Sequence, residues 1–134
     1  MSEVIHTTAA TVFVDDHGLL NIVTNGTQST EDTVRESFAA AQSLLDRPAP
    51  TLFDARNWPR AGAGFWATFI DLLPATVSAG AFLIGPEGRT DLGGFPDAVN
   101  RLMVPFYVFS DEEEAKAFLM RFLPPSEAMI DRAT

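Results

Sequence analysis

The apolar pattern of this chain switches period repeatedly, from short strand-like runs to stripes of helical spacing, and that alternation restricts it to an α/β architecture. From Val4 to Val14 the residues are β-branched and apolar with polar interruptions. Asp15-Asp16-His17-Gly18 then supplies turn chemistry, and Leu19 to Thr24 resumes a strand pattern, which predicts a β-hairpin. Asn25-Gly26 ends its second strand. Ser29 or Thr30 suits the cap of the helix that follows, and Ser29 and Asp32 have capping-box spacing. In that helix Val34, Phe38, Ala41 and Leu45 share one stripe, so one face packs on a sheet.

The alternation then continues to the end of the chain. Arg47-Pro48-Ala49-Pro50 breaks the first helix, and Thr51-Leu52-Phe53 reads as a strand ending in Asp54. Asn57 to Gly64 reads as a loop, after which Phe65, Phe69, Leu72 and Leu73 predict a second helix ending before Pro74. Ala79 to Ile84 reads as a buried strand whose small residues imply close approach by a covering helix. Leu92, Phe95, Val99 and Leu102 have the spacing of a third helix, interrupted by Gly93, Gly94 and Pro96. Val104 to Phe109 reads as a strand, and Ser110-Asp111-Glu112-Glu113 as a capping box that places carboxylates at a positive helix end. Ala115, Phe118, Leu119 and Phe122 give the last helix its buried face, and Pro124-Pro125 stops it.

The resulting order, ββαβαβαβα, predicts a mixed five-stranded sheet flanked by four helices, with right-handed crossovers that make consecutive strands parallel neighbours. A chain of 134 residues with 46% hydrophobic content suffices for one core. The expected organisation is one domain over residues 1–123 and a short tail over 124–134.

Charge and composition exclude several function classes. A net charge of −9 and a pI near 4.4 repel phosphate backbones and anionic membranes, so neither nucleic acid nor a membrane surface is an expected partner. The chain has no cysteine, which removes thiol catalysis and Cys-ligated metals. No run approaches the roughly 20 apolar residues that span a bilayer, and Met1-Ser2-Glu3-Val4 lacks the opening of a secretory signal; cytoplasmic residence without membrane insertion is the expectation.

Three segments together carry a resemblance: Thr51-Leu52-Phe53-Asp54-Ala55-Arg56, Ala79-Gly80-Ala81-Phe82-Leu83-Ile84 and Phe109-Ser110-Asp111-Glu112-Glu113-Glu114-Ala115. In these segments, and from about Val12 to Leu123, the chain resembles the STAS or SpoIIAA-like family, and more narrowly an uncharacterised bacterial branch described as STAS/SEC14-like. The resemblance implies a SpoIIAA-like α/β sheet and a domain that docks on kinases, transporters or signalling proteins without catalysing a reaction. In anti-sigma-factor antagonists of this family a switch Ser or Thr follows the third strand. The matching stretch here, Asp54-Ala55-Arg56-Asn57-Trp58-Pro59-Arg60-Ala61-Gly62, contains no hydroxyl residue, so the phospho-switch is expected to be missing.

Few residues suggest chemistry. His6 falls on a predicted edge strand and His17 in a turn, so neither a triad nor a zinc site is expected, and no cofactor. Glu112, Glu113 and Glu114 point about 100° apart on a helix and do not converge as an acid/base pair. Gly85-Pro86-Glu87-Gly88-Arg89 lacks the spacing and lysine of a phosphate-cradling loop.

Ligands of open α/β sheets collect beyond the carboxyl ends of the parallel strands. Here those ends carry a candidate rim of Asp54, Arg56, Asn57, Arg60 and Arg89, together with Glu87 and Ser110. The arginines are suited to an anionic group, with an Asp54–Arg56 ion pair as the plainer alternative. Trp58 and Trp66 lie off the second helical stripe and are candidate interface residues for a homodimer. The expectation is therefore a non-enzymatic interaction or regulatory domain that self-associates and docks on a regulatory protein. The rival is a small-molecule or lipid carrier with its ligand under the third helix.

Overall fold

The structure is a computed structural model that describes residues 3–57, 62, 64–85 and 104–123. It forms one six-stranded sheet of β1 (Val4–His6), β2 (Ala10–Val14), β3 (Leu20–Thr24), β4 (Ala49–Asp54), β5 (Val77–Leu83) and β6 (Phe106–Phe109), in chain order across the sheet. The described helices are α1 (Glu31–Leu44), α2 (Phe65–Thr76) and α3 (Glu112–Met120). β1, β2 and β3 are antiparallel neighbours, and β3 to β6 run parallel.

The mixed α/β sheet agrees with the sequence reading, but the described residues form six strands rather than the expected five. Val4 to Val14 is not one strand: it folds back at Thr7, whose backbone N–H donates to the Ala10 carbonyl at 2.7 Å and whose hydroxyl donates to the same oxygen at 3.0 Å. The expected third helix over Leu92 to Leu102 and the tail from residue 124 lie outside the described residues.

Helix boundaries follow from the caps. Thr30, not Ser29, caps α1, and its box partner is Thr33 rather than Asp32, each side-chain oxygen accepting from the other's backbone N–H. α2 continues through Pro74 to Thr76 and enters β5 at Val77 with no intervening loop. Asp111 caps α3 by accepting from the Glu113 N–H at 2.9 Å. That helix ends at Met120, before Pro124 is reached.

Two cores flank the sheet. Beneath α1 and α2, Phe38, Phe53, Phe69, Phe82 and Phe106 form a nearly continuous aromatic layer, with ring centroids 5.2–6.3 Å apart among its contacting pairs. On the opposite face Leu19, Leu52, Ala79, Ala81 and Leu83 meet Ala115 and Leu119 of α3. The small residues of β5 thus serve two purposes. Ala79 and Ala81 let α3 approach closely, while Gly80, on the other face, lies beneath the Phe106 ring rather than a helix.

Candidate functional site

The carboxyl ends of the parallel strands bring together part of the rim expected from the sequence. Asp54 closes β4, and the next residue, Ala55, still bonds to the Leu83 carbonyl at 2.8 Å, which fixes the direction in which the chain leaves the sheet. Arg56 turns back on Asp54: its Nε donates to Oδ1 at 2.9 Å and an Nη to Oδ2 at 2.6 Å, a bidentate clasp reinforced by the Arg56 backbone N–H. Asn57 is exposed in the turn beyond it. Arg60, Arg89, Glu87 and Trp58 lie outside the described residues.

The first turn of α3 adds a carboxylate that sequence reading assigned only to the helix end. Glu112 reaches Arg56 at 3.3 Å with one oxygen and Lys116 at 2.8 Å with the other. The four side chains form an alternating line, Asp54, Arg56, Glu112 and Lys116, with two charges of each sign. The Glu112–Lys116 spacing of four is visible in the sequence. The link to Arg56 is tertiary and has no local signature.

The protonation states follow from these contacts. The Lys116 hydrogen bond holds the Glu112 carboxyl below its ordinary range against a smaller opposing effect of burial. The hydrogen bonds to Asp54 and to Glu112 raise Arg56 and Lys116 respectively. Glu112, Arg56 and Lys116 are therefore charged at neutral pH, and Arg56 is committed to two carboxylates rather than presented to an incoming anion.

A second feature lies on the α1/α2 face at the same end of the sheet. A cavity of about 40 Å³ sits between the first turns of the two helices and is walled mainly by Phe38, Phe53, Phe65, Phe69 and Phe82. The hydroxyls at its margin are engaged elsewhere: Thr24 donates to the Asp54 carbonyl, Thr33 to the Thr30 carbonyl, and Ser37 pairs with Thr7. Such a wall favours an apolar guest over water, which needs two or more polar partners.

Trp66 packs toward this layer, its ring 4.9 Å from Phe65, 5.4 Å from Phe69 and 5.9 Å from Phe82, and is half-buried. The more exposed aromatic surface is at the opposite side of the sheet. Tyr107 of β6 is 60% exposed and meets Phe118 edge-on, and Phe118 in turn touches Phe109 and Phe122. Sequence periodicity assigns Phe118 and Phe122 to the buried face of the last helix; they are half-buried and pack at the margin of the core on that face.

Among the described residues no group of three or more His, Asp or Glu side chains is placed to hold a metal ion, and no helix is long and apolar enough to cross a membrane. No protein-family model and no curated protein matches the sequence. One similar solved structure is an uncharacterized protein from the DUF3478 family with a SpoIIAA-like fold, from Shewanella loihica PV-4. It is 12% identical, with a TM-score of 0.50 over 89% of this chain and 92% of that one. Six strands in chain order, parallel from the third onward, with helices on both faces, together with that end-to-end correspondence, give this chain the SpoIIAA-like fold.

Proposed function

We propose that this is a non-enzymatic, STAS-like interaction domain that acts by self-association and by docking on a regulatory protein. The observation that carries the reading is the closed charge line Asp54–Arg56–Glu112–Lys116 at the end of the sheet where such folds keep their ligand chemistry. Each carboxylate there faces a cation, so none stands as a free general base, and no hydroxyl in Asp54 to Gly62 is available for a phospho-switch. Sedimentation of the wild-type protein across a hundredfold concentration range tests self-association: a mass rising toward two chains supports it, and a mass fixed at one chain throughout removes it.

The second reading, a carrier of a small apolar molecule, draws on the cavity between α1 and α2. At about 40 Å³ it holds only a few heavy atoms, so a larger guest enters as α1 and α2 part. Its location differs from the place under the third helix suggested by the sequence, a segment outside the described residues. Native mass spectrometry of the freshly purified protein separates the readings: retained apolar cargo favours the carrier, and a bare chain mass favours the docking domain.

A further inference from the structure

We infer that two copies of this chain join through the open edge of β6, pairing antiparallel about a two-fold axis at Val108 to make one continuous sheet. The inference rests on the self-association proposed above and names its surface, which is not the Trp66 face of α2.

The open edge is set by the hydrogen bonds β6 already makes. Gly80 N–H donates to the Pro105 carbonyl and Ile84 N–H to the Phe109 carbonyl, both at 2.9 Å, so residues 105 and 109 turn their backbone groups toward β5. Backbone direction alternates along a strand, which turns the N–H and C=O of Val108 away from β5. Among the described residues β6 pairs with β5 alone. Edge strands of this kind are usually blunted by charge, proline or a bulge. Phe106-Tyr107-Val108-Phe109 has no charged residue, and Pro105, the adjacent proline, faces β5 and leaves the outer edge intact.

The side chains suit a second copy of the same strand. With the axis at Val108, its N–H and C=O exchange both bonds with Val108 of the second copy, a hydrogen-bonded pair. Tyr107 then stands opposite Phe109 of the second copy, and Phe109 opposite its Tyr107. These flanking pairs are of the non-hydrogen-bonded kind, whose side chains lie closest and where aromatic partners contribute most. All four rings lie on the α3 face, where each Tyr107 and Phe109 already touches its own Phe118. Pairing would cover Tyr107, 60% exposed, and Val108, 38% exposed.

The acidic turn next to β6 does not oppose this arrangement, although each copy carries −9. The acidic first turn of α3, from Asp111 through Glu114, follows the carboxyl end of β6. Antiparallel pairing sends the two acidic turns to opposite ends of the joint, with the Asp111 residues about 20 Å apart at roughly 3.3 Å per residue. That exceeds the Debye length of about 8 Å at physiological salt. The opposite sheet edge offers no equal surface, since β1 is three residues long and ends on His6.

The test is sedimentation equilibrium on the full chain as wild type, Val108→Pro, Tyr107→Lys and Trp66→Ala, with far-UV circular dichroism to establish folding of each. Val108→Pro removes an outward N–H, and Tyr107→Lys puts a charge on an exposed site, so both variants are expected to fold. The expected result is a wild-type dimer, a dissociation constant raised at least a hundredfold in both β6 variants, and an unchanged dimer in Trp66→Ala. A dimer that survives both β6 substitutions overturns the β6 interface, and its loss in Trp66→Ala would move the contact to α2 while self-association stands. A monomeric wild type overturns both proposals.

Discussion

The ring of Phe106 lies directly over Gly80, its register partner on the adjacent parallel strand, in space that any side chain at position 80 would need. A Cβ built on Gly80 would overlap the ring edge and stand 2.9 Å from its Cζ. The same ring touches Phe53 and Phe82, so it cannot turn aside without opening the aromatic layer. Gly80→Ala should therefore destabilise the fold by about 1–3 kcal/mol, as overpacking does in a filled core. Pairing it with Phe106→Leu should recover part of that loss. Urea denaturation of both single variants and the double variant measures the coupling, and strictly additive losses would show that the two residues do not share this space.

Phe53 touches each of the other four rings of the same layer. Its ring lies 5.3 Å from Phe69, 5.3 Å from Phe82, 5.6 Å from Phe106 and 6.3 Å from Phe38. It is also a wall of the cavity beside them, so truncation enlarges a void that already exists. Phe53→Ala should cost about 3–5 kcal/mol. Against the 5–15 kcal/mol typical of a domain, that leaves a marginal fold, visible as a large drop in urea midpoint. A change under about 1 kcal/mol would mean that the layer collapses around the gap.

The parts of this fold that were legible in the sequence are those where local pattern and tertiary demand coincide. Val34, Phe38 and Ala41 show helical spacing and are buried, because α1 has one sheet-facing stripe. The fold-back at Thr7 was not legible, since it uses a threonine hydroxyl and no glycine or proline. Pro74 signalled a stop, yet it lies in the last turn of α2, where the one N–H it withholds from Ile70 costs little beside the burial of Leu73 and Thr76. Pro50 lies near the start of β4, one residue before Thr51, where the pairing with β3 begins. It is tolerated there because its backbone nitrogen faces β3 ahead of that strand's first paired residue, so no ladder hydrogen bond is lost.

The candidate site divides in the same way. Asp54 and Arg56 are two residues apart, so their pairing could be weighed from the sequence alone. Glu112 reaches Arg56 only because α3 packs on β4 and β5, and nothing in the stretch of sequence between them marks that contact. Phe118 lies on the stripe that periodicity assigns to the buried face but is only half-buried, because periodicity identifies an apolar stripe and not how far neighbouring elements cover it.

The reciprocal cap on α1 gives a prediction about helix entry. Thr30 N–H donates to Thr33 Oγ1 at 2.8 Å, and Thr33 N–H donates to Thr30 Oγ1 at 3.3 Å. The preceding residue is also tied, because Gly62 N–H donates to the Ser29 carbonyl at 2.6 Å and brings the approach to α2 against the approach to α1. A Cβ on Gly62 would lie 2.9 Å from that carbonyl oxygen, so only glycine fits without a shift. Thr30→Ala should cost about 1 kcal/mol. Thr33→Ala should add little once Thr30 is gone, because the two bonds form one unit. Full additivity in thermal denaturation would argue that each threonine acts alone.

The charge line at the carboxyl end predicts a specific dependence on pH. Glu112 is held below its ordinary value of 4.5, first by the Lys116 hydrogen bond and then by the charges of Lys116 and Arg56. A carboxyl whose folded value is depressed stabilises the fold above its unfolded value and loses that contribution as pH falls through the folded one. Lys116 behaves in the opposite sense: its raised value stabilises below the ordinary lysine range and is lost only as pH climbs through it. Between those limits both contributions are present. Glu112→Gln should therefore be less stable than wild type at pH 7, by about 0.5 kcal/mol, since both partners are substantially solvated and such pairs contribute little. The difference should shrink as pH drops below about 4.5 and vanish once Glu112 is protonated in the folded protein. Urea midpoints of the two proteins from pH 7 down to the acid limit measure this directly. A difference that stays constant over that range would mean that Glu112 acts through packing rather than through its charge.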